Sequence, residues 1–144
     1  MATSTLPQAP RRPRAAIGIR TAAIAAYGLG AAALTAEAVV HVQQFVSLFN
    51  DVRWIGPLFI ANAVAIAVVL AGLAYPRTRI LAAAAGVVIS AAALGGLIIS
   101  YGTGLFGWQE AGFRTPTAIA MISEVAAVIL LALGMAASAL ERGR

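Results

Sequence analysis

The sequence predicts an all-α protein, an antiparallel four-helix transmembrane bundle with both termini in the cytoplasm. Three observations predict it. Of 144 residues, 61% are hydrophobic and 10% charged, with mean hydropathy +0.91, whereas a soluble domain carries roughly a quarter charged residues. Apolar runs long enough to span a bilayer, about 20 residues each, recur along the chain and leave no length for a separate soluble domain. The arginines, finally, fall on alternate connections in a strongly unequal way.

Residues 1–14, MATSTLPQAPRRPR, hold three prolines and three arginines. This composition cannot bury a core and predicts a disordered basic tail, followed by a membrane domain over 15–144. The tail, the apolar run after it and the small-residue stretch ALTAEA imitate a cleavable signal peptide. The run is longer than a signal core and further spans follow it, so an uncleaved anchor is expected. Arg11-Arg12 matches a twin-arginine signal only in that pair.

Span one is expected over about 19–41, its helix continuing to about Phe49 because VVHVQQFVSLF holds no breaker. NDVRW then turns the chain. Span two, about 55–74, carries Pro57 in its first turn, where a missing N–H is tolerated. YPRTR breaks the chain again before span three, about 80–100, which has no charged residue. YGTGLFGWQEAGFR is the longest connection. Thr115 is the expected N-cap and Pro116 the first-turn residue of span four, about 116–140. Gly86 with Ser90, and Ala92 with Gly96, place small residues four apart, a spacing that lets helices approach closely in lipid.

Arginine counting orients the bundle. Arg11, Arg12, Arg14, Arg20, Arg77, Arg79, Arg142 and Arg144 fall on one side, Arg53 and Arg114 on the other. The positive-inside rule puts the first group in the cytoplasm. Trp54 and Trp108 then lie at the outer interface, a preferred place for indoles. The net charge of +5 comes from these span-end arginines, with no basic stripe of the kind that binds nucleic acid.

Orientation gives depth. At 1.5 Å of rise per residue, Glu37 lies roughly 5–10 Å below the outer end of span one, Asn62 about 8 Å deep and Glu124 about 12 Å deep. The polar residues of the spans therefore gather in the outer half. Glu37, His41 and Gln44 share one helical face, continued backward by Ala33 and Gly30; Thr117, Met121 and Glu124 share another. An ionised carboxylate at such depth costs about 2.5–3.5 kcal/mol on insertion scales, so it must be partnered, hydrated or protonated.

Glu37, His41, Gln44, Asn62 and Glu124 are the candidate ligand or proton pocket. Two carboxylates and an imidazole can relay protons or bind an organic or metal cation. Beyond Glu37 with His41 no metal-ligand spacing occurs, so no metal site is assigned from sequence. The plainer readings are a local Glu37–His41 pair satisfied by water, and a hydrogen bond from Glu124 to Asn62 or Gln44. Arg114 is placed to meet Glu110 or lipid phosphates. The aromatics of the last loop serve as interfacial anchors or as a lid.

Zero cysteines exclude disulfide exchange, thiolate metal sites and thioether haem attachment. A single histidine, His41, excludes a bis-histidine haem within one chain. No phosphate loop, nucleophile elbow or zincin helix occurs, so no catalytic residue is assigned and an enzyme is the less favoured class.

HVQQF, WIGPLFIAN at the head of span two, and GLFGWQE before a span with a central glutamate resemble a group of small uncharacterised four-span membrane proteins of high-GC actinobacteria. The resemblance covers roughly 20–140 and implies a multi-pass plasma-membrane protein without an assigned activity or cofactor. A weaker similarity, in size and span count only, is to DoxX-like proteins linked to redox chemistry; none of their functional residues carries over. Small multidrug exporters share the span count and a first-span glutamate. They lack such a basic tail, and their weak charge bias contrasts with the strong one here.

Four readings stay open: a binding or accessory subunit with an outward-facing pocket, a small proton-coupled transporter, a redox component limited to quinone, lipid or a partner's cofactor, and a structural partner of another membrane chain or of its own copies. The bilayer is the expected partner in every case, nucleic acid in none.

Overall fold

A computed structural model describes residues 14–143. The basic tail expected over 1–14 lies outside the described residues apart from Arg14, as does Arg144. Among the described residues the fold is all-helical, with helices α1 (Arg14–Gln44), α2 (Ile55–Ala74), α3 (Arg79–Gly102) and α4 (Thr115–Arg142). A π-helical turn, Phe45–Phe49, extends α1. All four are long and apolar enough to cross a membrane, and the chain is a multi-pass membrane protein.

Burial along α1 follows the helical repeat: Ala23, Tyr27, Gly30, Leu34, Glu37, His41 and Gln44 face inward. The face expected from Glu37 and His41 does continue to Gly30. It then passes through fully buried Leu34, with Ala33 only half-buried. The π turn widens the next step to five residues, so Phe49 faces inward while Leu48 is exposed. Outward faces carry Val39, Val68, Leu81, Ile98 and Leu133 exposed, as a lipid-facing surface requires.

Helices adjacent in the chain pack together, α4 closes the ring on α1, and α2 stands apart from α4 across the centre. One end of the ring is sealed. Leu34, Ile66, Ala83, Ala127 and Leu131 are completely buried there and form the apolar core with Tyr27, Val69 and Leu73. Leu131 is clamped: a Cβ added at Gly30 would meet its Cδ2 at 2.7 Å, and one added at Gly86 its Cδ1 at 2.7 Å. Gly86 is thus a contact of three other helices, through Leu131, Val69 and Leu34.

Below the core, the Tyr27 hydroxyl meets the Ser138 hydroxyl at 3.0 Å. The Arg79 guanidinium lies 5.9 Å from the Tyr27 ring centroid, and its Nε donates to the Leu73 carbonyl at 2.9 Å. Interhelical hydrogen bonds in membranes average about 0.6 kcal/mol. Tyr27→Phe is therefore expected to lower the melting midpoint of the detergent-solubilised protein slightly, by the equivalent of about 0.6 kcal/mol. A midpoint equal to wild type, with Ser138→Ala equally silent, would show that this bond carries no stability.

One local expectation is corrected. Arg114, extended at φ −104° and ψ 157°, occupies the N-cap of α4, and no side chain caps the end. Thr115 is already the first helical residue, followed by Pro116. Arg114 is held in the flanking position by its own side chain, which is bound to Glu110.

Candidate functional site

At the other end the ring does not close on itself. A cavity of about 400 Å³ lies among all four helices, between His41, Asn62, Gly96 and Glu124. That is within the range of small-molecule sites, about 300–1,000 Å³. Its walls are largely apolar and built of small residues, including Ala65, Ala93 and Gly96. Leu58, Ala61 and Ala92 border it and are also exposed on the outer surface.

The five residues singled out from sequence all reach this region. Glu37 is completely buried. Its carboxylate accepts from Asn62 Nδ2 at 3.1 Å and from the Ser90 hydroxyl at 2.6 Å. Glu37 thereby ties α1 to α2 and α3. It is not the water-satisfied partner of His41: the His41 ring bonds instead to the Glu37 backbone carbonyl, at 2.9 Å from Nδ1. Gln44 is buried at the cavity wall.

The His41 contact sets the tautomer. A carbonyl oxygen only accepts, so Nδ1 carries the proton, and in the neutral ring Nε2 presents a lone pair. Nε2 faces Glu124 Oε1 at 4.0 Å, too far for a hydrogen bond. Glu124 is 2% exposed, and its Oε2 is buried without a hydrogen-bond partner. The bond to Asn62 or Gln44 that would have made Glu124 purely structural does not form with Asn62, whose Nδ2 serves Glu37. Asn62 Oδ1 is left buried and unpartnered.

The floor of the cavity thus sets His41 Nε2 against the Glu124 carboxylate, while Asn62, another cavity-lining residue, keeps an unpartnered Oδ1. Glu37, His41 and Glu124 each offer a ligand atom within 4.8 Å of the others. Among the described residues, Glu110–Arg114 is the other ion pair, at 2.8 Å, so that arginine is already engaged.

The 103–114 connection caps the cavity. Leu105 and Trp108 exchange backbone hydrogen bonds of 2.7 and 2.9 Å around Phe106 and Gly107, both at positive φ, as a tight I′-type reversal requires. The reversal puts Phe106 outside, 63% exposed, and turns Trp108 onto the cavity. Trp108 Nε1 donates to Glu110 Oε2 at 3.2 Å, and the Glu110 backbone N–H donates to the Ser100 carbonyl at 3.0 Å. From this lid an aromatic wall descends to the floor: Trp108 edge-on to Phe49 at 5.1 Å, Phe49 stacked on Phe59 at 4.7 Å, and Phe59 tilted on His41 at 4.9 Å.

Sequence reasoning missed Ser90 as more than a packing residue, and missed Phe49 and Phe59. The signal for Ser90 existed: it is the only polar side chain between Ile80 and Ile99. Nothing marked Phe59 among its apolar neighbours, and Phe49 reaches the wall only through the π turn. Comparison with known protein families, with curated proteins and with solved structures finds no match to this chain.

Proposed function

We propose that this is a bacterial plasma-membrane protein that binds a cation in an outward-facing intramembrane pocket, acting as a binding or accessory subunit. In this reading the bundle is antiparallel with cytoplasmic termini. Support comes from the arginine distribution and from partner pairs that run oppositely along α1 and α4, Tyr27 with Ser138 and His41 with Glu124.

The observation that carries the proposal is the donor-poor floor. Buried acceptors with no donor are costly, about 1–3 kcal/mol each and more when charged. Glu124 Oε2 and Asn62 Oδ1 are both in that position. A cation beside Glu124 satisfies its carboxylate together with His41 Nε2, which no anion or neutral acceptor would do. The apolar seal of Leu34, Ile66 and Leu131 beneath the floor favours binding over transport in this conformation.

Full-length protein in nanodiscs, with Trp54→Phe to isolate Trp108 fluorescence, tests this. Zn²⁺, Mn²⁺ and butylammonium, whose N–H groups can donate to those acceptors, are titrated separately. A saturable change with at least one of them is expected. Glu124→Gln should weaken it at least about 100-fold, the equivalent of one strong charge-assisted contact. Silence toward all three cations in a well-folded sample, or an unchanged affinity in Glu124→Gln, would overturn the proposal.

A further inference from the structure

The same floor has the parts of a specific kind of cation site. Glu37 and His41 stand one turn apart on α1, and Glu124 faces them from α4. The three together offer one imidazole nitrogen and two carboxylates, a donor set suited to borderline divalent ions such as Zn²⁺, Mn²⁺ or Fe²⁺.

The surroundings are as telling as the ligands. Metal-bound histidines almost always donate their second ring N–H to a carbonyl or carboxylate, which fixes the tautomer and aims the free nitrogen. His41 Nδ1 does this with the Glu37 carbonyl at 2.9 Å. Ligating carboxylates are themselves held by hydrogen bonds. The Glu37 carboxylate is held by Ser90 at 2.6 Å and by Asn62 at 3.1 Å. Glu124 is the member left incomplete: its Oε1 faces His41 Nε2 at 4.0 Å without a hydrogen bond, and its Oε2 is buried without a partner.

Charge points the same way. Two carboxylates inside a membrane are expensive when ionised, and a divalent ion between them leaves the group neutral. An organic ammonium would neutralise only one. The remaining coordination positions would open onto the cavity, as in metal sites that hold three protein ligands and admit a fourth from outside.

We propose that Glu37, His41 and Glu124 form an intramembrane binding site for one divalent transition-metal ion, with Ser90 and Asn62 as positioning residues. This rests on the cation-pocket reading above and specifies its ligand class.

Tag-free, full-length protein in nanodiscs is dialysed against Zn²⁺, and separately Mn²⁺, and metal is counted per chain by mass spectrometry. One equivalent per chain is expected with one or both ions. Glu124→Gln and His41→Ala should each weaken binding at least about 100-fold. Ser90→Ala, which touches no metal in this assignment, should weaken it about 10- to 100-fold through the loosened Glu37. Co²⁺ loaded in place of the native ion should give visible absorption bands that change in His41→Ala. Circular dichroism and gel filtration identify any variant that fails to fold, and the remaining variants then carry the test.

Uptake below one equivalent for both ions, or uptake indifferent to the folded variants, overturns the metal site. If butylammonium still perturbs Trp108 saturably in that case, and Glu124→Gln weakens the effect, the cation pocket stands without the metal. If no cation does, both proposals fall.

Discussion

Gly86→Leu is expected to destabilise the bundle by about 3 kcal/mol, at the upper end of overpacking costs. Even a Cβ at this position would lie 2.7 Å from Leu131 Cδ1 and 3.2 Å from Val69 Cγ1. Leu131 has no room to withdraw, because its other methyl would then press further onto Gly30. Leu131→Ala alone should cost about 2–5 kcal/mol, as buried leucine truncations do. The double variant should lose less than the two single losses combined, since the new side chain fills the space the old one vacates. Detergent-solubilised melting curves of the four proteins complete the cycle. Strictly additive losses would mean that Gly86 and Leu131 do not share the contact described.

The second large effect separates the two intramembrane glutamates. Glu37→Gln should lose the cation response and also destabilise the fold by about 1–2 kcal/mol. The introduced amide keeps one acceptor oxygen where the carboxylate had two, so Asn62 and Ser90 can no longer each donate to a separate oxygen and one of the two contacts must be remade. Glu124→Gln should lose binding too, yet melt at or above the wild-type temperature, because Glu124 Oε2 has no protein partner to forfeit. Chemical and thermal unfolding of both variants would decide this. Greater destabilisation in Glu124→Gln than in Glu37→Gln would reverse the roles assigned here.

The four helices were legible because lipid imposes a coarse code, a long apolar run between polar breaks. The observed limits Ile55–Ala74 and Arg79–Gly102 are bounded by just such breaks. The candidate site was legible in part, by the shared face of Glu37 and His41 and by a depth argument for Asn62 and Glu124. Pairing across helices was not. It depends on rotation about each helix axis, and in an all-apolar span many rotations bury the same residue types. Hence Asn62 serves Glu37 rather than Glu124, and Ser90 completes that contact. The π turn was invisible for a different reason: it moves the inward position from Leu48 to Phe49, and both residues are apolar. Arg114 and Glu110, four apart and oppositely charged, do meet, because that contact is local.

The apolar core beneath Glu37 also acts as electrical insulation. Leu34, Ile66, Ala83, Ala127 and Leu131, all without solvent exposure, form a low-dielectric plug in which a bare ion would cost several kcal/mol or more. If the floor holds a cation as proposed, that charge exchanges only with the compartment on the side of the 103–114 lid, and its occupancy reports the composition of that compartment alone. Part of any transmembrane voltage would then drop between that side and the floor, making capture weakly voltage-dependent, each charge feeling a fraction of about 2.3 kcal/mol per 100 mV.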